Sequence, residues 1–194
     1  MSENSNNLRA FGMSGAQIIA ELKSFEKKFG LAILPSDGRV VRKIAGYEQF
    51  EISVRKSAAR MSEYYEIFFC LEVSIRMLVD SMLIEAEGKD YWNSKRIDDD
   101  LRKTVNELIR EEVDKGITRR SDNPLDYLTF GQLGNVITKN FVLFETVLSS
   151  RRAVERVIQD LSKLRNSIAH CCELADDEAD RLRLSVRDWF RLFN

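Results

Sequence analysis

The sequence predicts an all-α fold, a helical bundle, on three observations. Apolar residues recur at helical spacing along most of the chain, and the strongest run extends from Phe50 to about Glu87. Two prolines and nine glycines in 194 residues leave little of the punctuation that many short strands require. Apolar residues make up 44% and charged residues 31%, the balance of a globular chain large enough to bury a core. The expected organisation is an N-terminal arm over residues 1–48 and one helical domain over 49–194.

The elements follow in order. Residues 1–10 read as frayed. Ile18, Ile19, Leu22, Phe25 and Phe29 place a helix over Ser14–Phe29, with Gly30 as its stop. Residues 31–47 are the one non-helical stretch. There Leu31–Leu34, the turn Pro35-Ser36-Asp37-Gly38 and Arg39–Ile44 fit a short β-hairpin. This arm is expected to cover the bundle rather than to act chemically. In the long helix, Met61, Tyr64, Tyr65, Phe68, Leu71, Ile75, Leu78, Val79 and Met82 line one face, and Gly88 ends it. An aromatic corner, Tyr91-Trp92, leads to a helix from Ile97 to Lys115, marked by Leu101, Val105, Leu108 and Ile109 and stopped by Gly116.

A loop over 117–126 carries Arg119, Arg120 and Pro124. Thr129 caps a short helix that reaches Ile137, and Phe141–Leu148 is a further apolar helical run. Arg151–Cys172 forms a helix whose core stripe is Val154, Val157, Ile158, Leu161, Leu164 and Ile168. Ala175–Phe193 closes the chain, with Leu182, Val186, Trp189, Phe190 and Phe193 facing inward. The acidic runs Asp98-Asp99-Asp100 and Asp176-Asp177-Glu178 suit helix N-termini, where the macrodipole favours negative charge.

The totals bound function. A net charge of −1 supplies no global attraction to nucleic acid, so RNA binding needs a local basic patch. Three cysteines, two of them adjacent, do not make a disulfide framework and point to a reducing compartment. Met1–Asn7 is polar and lacks the apolar core of a signal peptide. No apolar run approaches the roughly 18 residues of a membrane helix. A cytoplasmic protein with no membrane association is expected.

The chemistry concentrates in Arg165-Asn166-Ser167-Ile168-Ala169-His170, which holds the one histidine of the chain. On a helical wheel Arg165 falls beside Leu161 and Ile168, near the centre of the apolar stripe, while Asn166 and His170 share the opposite face. Arg165 and His170 diverge by about 140° on an ideal helix. They serve one ligand only if the helix ends or distorts there, or if a second subunit contributes. An arginine aimed into a core needs a carboxylate, because an unpaired buried charge is costly. Glu72, on the apolar stripe of the long helix, is the expected partner, with Arg76 in i,i+4 reach of it. The structural alternative makes Arg165 a buried tether for Glu72 and His170 an exposed helix-end residue favoured by the dipole.

The run Arg165-Asn166…Ala169-His170 resembles the motif of the HEPN superfamily. Glu72-Val73-Ser74-Ile75-Arg76, the corner Gly88…Tyr91-Trp92, and Tyr127-Leu128-Thr129-Phe130 follow the order of its Swt-type branch, found in RNA-surveillance and phage-defence proteins. The resemblance covers roughly residues 55–190. It implies a helical bundle that dimerises and brings two Arg…His motifs to one cleft, where RNA is cut without a metal. Arg165 and His170 would then be catalytic, with Asn166 assisting and Glu72 and Arg76 supporting the arginine. The implied products are a 2′,3′-cyclic phosphate and a 5′-OH end. Arg151, Arg152 and Arg156, on the same helix, would grip backbone phosphates. The partners implied are RNA, a second copy of the chain and an antitoxin or regulatory protein, with no cofactor. The biology implied is defence or stress response.

The second reading is a catalytically silent HEPN module that binds RNA, nucleotide or a partner protein. Other chemistries fit poorly. Cys171-Cys172 beside His170, with Cys70 as the remaining thiol, lacks tetrahedral metal-ligand spacing, and Cys70 with one of the pair is expected to be buried. Adjacency of cysteine and histidine does not give nucleophile–base geometry. No Gly-rich phosphate loop is present, since Gly131-Gln132-Leu133-Gly134 lies in a helical pattern. Arg119-Arg120 and Arg151-Arg152 read as solvated faces before RNA contacts, and Trp92 and Trp189 as core anchors.

Overall fold

A computed structural model describes residues 20–22, 24, 28 and 46–194. The expected hairpin over 31–44, and most of the expected arm and its helix, lie outside the described residues. Internal contacts divide the chain into residues 1–62 and 63–194. In the first unit the described part holds a 3₁₀ turn, Tyr47–Gln49, ahead of the first turns of a long helix. Phe50 meets the Tyr47 ring edge-on at 6.2 Å, and the Arg55 guanidinium lies 5.9 Å from the same ring.

The helices are α1 (Ile52–Glu87), α2 (Asp99–Asp114), α3 (Phe130–Lys139), α4 (Phe141–Phe144), α5 (Arg151–Ala169) and α6 (Asp176–Phe190). Among the described residues there is no strand, only an isolated antiparallel bridge between Leu148 and Phe193. No described helix is long and apolar enough to cross a membrane. The architecture of the second unit is therefore the all-α bundle that the helical periodicity predicts.

Its core is built by stripes of the expected period. Along α1 the buried residues are Tyr64, Phe68, Leu71, Ile75, Val79 and Leu83. Tyr65 faces solvent and Leu83 rather than Met82 is buried; Tyr65 and Leu83 share one angle on an ideal wheel, so the face that α1 buries turns along the helix. Phe68 packs edge-on against Phe130 of α3 at 6.1 Å. Helix α5 buries all six residues of its expected stripe and packs against both α3 and α6. In α6 the buried residues are Ala179, Leu182 and Trp189, whereas Phe190 and, beyond the helix end, Phe193 are exposed, against the expectation that both face inward. The last residues instead fold back along the link before α5, with Ser149 N–H donating to Leu192 O and Asn194 N–H to Val147 O.

The ends of the helices are explained by local chemistry. Thr129 accepts from Gln132 N–H while the Gln132 side chain accepts from Thr129 N–H, so both ends of a capping box are made. Ser150 caps α5 by accepting from Ala153 N–H. Gly116, at φ 65°, closes α2 with Ile117 N–H bonded to Glu112 O and its own N–H to Val113 O. Gly134 has a different role. A Cβ there would lie 2.3 Å from Ile158 Cγ2, so its missing side chain is what lets α3 approach α5.

Candidate functional site

Helix α5 carries the Arg165…His170 run in its last turns. Arg165 sits at the edge of the buried stripe, and its side chain is 37% exposed rather than sealed in the core. Its Nε lies 3.7 Å from Glu72 Oε2 on α1, the one ion pair of Arg165 among the described residues. Glu72 is held more firmly from its own helix, where Arg76 Nη2 donates to Oε1 at 2.8 Å. Arg76, only 14% exposed, is fixed in turn by Nε, which donates to Leu125 O at 3.1 Å and lies 3.3 Å from Asp126 Oδ1. The order of charges is thus Asp126, Arg76, Glu72, Arg165, with only the last guanidinium broadly open to solvent.

A cleft of about 200 Å³ opens at this end of the chain of charges. Glu72, Arg76 and Arg165 line it together with Tyr65, Phe69 and Ala169. The structure therefore brings together three of the residues singled out from the sequence. Two others stay outside the cleft. Asn166 is exposed on the far side of α5, and its carbonyl accepts from His170 N–H at 3.0 Å.

His170 is the residue at which α5 ends, with φ −91° and ψ 14°, and it is exposed. The stop behind it is a Schellman turn. Cys172 N–H bonds to Ser167 O at 2.9 Å and Cys171 N–H to Ile168 O at 3.1 Å. Cys171 takes the left-handed position at φ 57°, where Gly116 stands in the equivalent turn after α2. The imidazole is thus presented at the open end of a helix. All three cysteines are exposed, which corrects the expectation of buried thiols. The cause is geometric, since Cys171 and Cys172 lie in the turn and Cys70 falls off the buried stripe of α1.

Arg151, Arg152 and Arg156 occupy the exposed face at the start of α5, and none has an ion pair among the described residues. At about 1.5 Å rise per residue, Arg156 stands some 13 Å along the helix from Arg165 and Arg151 some 21 Å. Arg119 and Arg120 are engaged within the fold. Arg120 Nε donates to Glu112 Oε1 at 2.7 Å and its guanidinium covers the Tyr127 ring at 4.6 Å, while Arg119 pairs with Asp122 at 3.5 Å. The Arg120 bond is the main reason that the Glu112 carboxyl is held below its usual range. Burial opposes this, and the Tyr127 hydroxyl, which also donates to it, adds to it.

The corner after α1 is a second polar cluster, in which the Tyr91 hydroxyl donates to Asp80 and Asn123 Nδ2 donates to the same carboxylate at 3.2 Å. Burial first, then Asp80, pushes the Tyr91 phenol well above its usual range, so it stays a donor. Asn140 is buried and bonds Arg96 O and Val136 O, tying this corner to α3. Among the described residues no group of three or more His, Cys, Asp or Glu is placed to hold a metal ion. A larger groove of about 310 Å³ between α3 and α5 is lined by Asn135, Thr138, Gln159, Ser162 and Lys163 and includes none of the motif residues.

Asp126 and Leu125 were not visible as neighbours of the site in the sequence, because they reach Arg76 from a loop distant in the chain. Tyr65, which its spacing places on the buried face, points outward instead and stands beside Phe69, four residues on. Comparison with known proteins then adds one finding: the model of the Swt1-like HEPN family matches residues 66–194. Neither a curated protein nor a solved structure gives a significant match.

Proposed function

Because the chain belongs to the Swt1-like HEPN family, we propose that it is an endoribonuclease that works as a homodimer and needs no metal ion. The observation that carries this reading is the half-open Arg165 guanidinium, steered by Glu72 at the mouth of a cleft and placed five residues before an exposed His170. Cleavage by attack of an RNA 2′-OH on the adjacent phosphorus needs a group that moves protons near neutral pH, and histidine suits that task. It also needs positive charge where the phosphorane develops, which a guanidinium supplies with paired donors. The 2′ oxygen forms the new P–O bond and the 5′ oxygen leaves with a proton. The products are a 2′,3′-cyclic phosphate and a 5′-OH end, and DNA is not cut.

Within one chain Arg165 lines the cleft and His170 does not. A dimer supplies the remedy, since the histidine of one copy then serves beside the arginine of the other. In this reading Asn166 assists at the phosphate or the imidazole, Arg76 holds Glu72, and Arg151, Arg152 and Arg156 take the flanking backbone. The protein acts in the cytoplasm, in defence or stress response, under an antitoxin or another regulator. The same placement of His170 outside the cleft favours the second reading, a silent module that binds RNA, nucleotide or a partner protein.

The test is cleavage of a mixed-sequence RNA in EDTA by the wild type and by His170→Ala, with the matching DNA strand as control. The ribonuclease reading expects cutting by the wild type alone, on RNA alone, with cyclic phosphate ends. A folded, dimeric wild type that leaves every RNA intact would move the assignment to the silent module.

A further inference from the structure

We propose that Tyr65 and Phe69 form a nucleobase-stacking subsite, which seats a base of single-stranded RNA beside the phosphate that Arg165 engages. This rests on the ribonuclease reading above. Helix α1 buries its aromatic Phe68 and Tyr64, yet Tyr65 and Phe69 stand 59% and 57% exposed. They are four residues apart and so lie on one face, with ring centroids 6.2 Å apart and planes inclined by 36°. Both rings line the cleft that Glu72 and Arg165 also line.

Three features favour a base as the occupant. The first is charge complementarity. The donors of Arg76 are engaged by Glu72, Leu125 and Asp126, whereas Arg165 keeps a looser contact at 3.7 Å and stands open at the rim. A cation beside two aromatic faces matches the two parts of a nucleotide, its phosphate and its flat, apolar base. The second is size. About 200 Å³ falls below the roughly 300–1,000 Å³ of pockets that enclose a whole small-molecule ligand, and suits a single ring system. The third is chemistry, because proteins recognise unpaired RNA bases largely by stacking on exposed aromatic side chains. Every base has such a face, so this subsite adds affinity without selecting a sequence.

The test uses the full chain carrying His170→Ala, so that the RNA survives, and a short single-stranded RNA containing 2-aminopurine, whose fluorescence is quenched on stacking. Tyr65→Leu and Phe69→Leu keep apolar area but remove the π-faces, and both positions are exposed enough to leave folding intact. Each Leu variant is expected to weaken binding by about tenfold or more and to lose the quench. Tyr65→Phe and Phe69→Tyr keep the rings and are expected to retain both. Leu variants that bind and quench like the parent would overturn the subsite. Sedimentation of the same variants is the second readout. A loss of self-association on the Leu changes would assign the rings to a contact between copies and would also overturn it. The two readings fail differently: if the wild type cuts RNA through His170 while the Leu variants bind normally, only the stacking subsite falls. A wild type that neither cuts nor binds RNA removes the ribonuclease reading itself, and the subsite with it.

Discussion

Gly134→Ala is the most exacting test of how α5 is positioned. Apolar carbons rest at about 3.5–4.0 Å. The new Cβ would stand 2.3 Å from Ile158 Cγ2, 3.2 Å from its Cβ and 3.3 Å from its Cγ1. Relief requires more than ~1 Å of movement between α3 and α5, since a β-branched side chain in a helix has essentially one χ1 rotamer and Ile158 is buried. Overpacking of this kind costs about 2–3 kcal/mol, and alanine returns about 0.8–1.0 kcal/mol through its better helix propensity. The net expectation is a loss of about 1–2 kcal/mol, or roughly 2–8 °C in Tm for a chain of this length.

Thermal and urea unfolding followed by circular dichroism measure it. The decisive control is the same change in an Ile158→Ala background, which removes the clashing carbon. There the effect of Gly134→Ala should shrink to nothing or turn stabilising by up to ~1 kcal/mol. An unchanged penalty in that background, or a more stable single variant, would refute the account of Gly134 as the residue that sets the α3–α5 distance.

Two further changes probe the surroundings. Cys171→Gly should stabilise the protein by about 0.5–1 kcal/mol. A non-glycine residue in the left-handed region costs about 1–2 kcal/mol, part of which is offset by the larger unfolded-state entropy of glycine; the readout is again Tm. Arg120→Gln should raise the pKa of Glu112 toward the ordinary glutamate range, as followed by NMR titration. A carboxylate whose folded pKa is depressed contributes stability above its unfolded value, near 4.3, and loses it as pH falls through the folded value. The share of the stability difference that belongs to Glu112 should therefore be full at neutral pH and vanish in acid, and a difference that grows on acidification would contradict this.

What was legible in the sequence were local features. Thr129, Gly88 and Gly116 mark helix ends through bonds within one turn, and the stripe of α5 located a whole helix together with its buried face. The opposed charges of Glu72 and Arg165 were readable because each lay at or beside a stripe that had to face the other. Features that depend on distant segments were not. The hold of Asp126 and Leu125 on Arg76 needs a loop brought back across the bundle. Gly134 shows in the sequence only as a glycine within a helical pattern, because a close approach of two helices leaves no mark beyond a missing side chain. Phe190 and the thiols were misplaced inward for a related reason: hydrophobicity ranks a residue's preference, while the register of the helix or turn decides its exposure.

The grip of Arg76 on Glu72 also has a consequence for the order of assembly. That bond joins neighbours one turn apart and can close as soon as α1 coils, whereas the contact with Arg165 must wait for a helix made much later in the chain. The carboxylate is therefore aimed in advance. One of its oxygens is already occupied on the home helix, and the other is left as a docking point for the incoming guanidinium. When α5 arrives, little side-chain freedom remains to be lost on the Glu72 side, and the looser partner is the one left adjustable for a ligand.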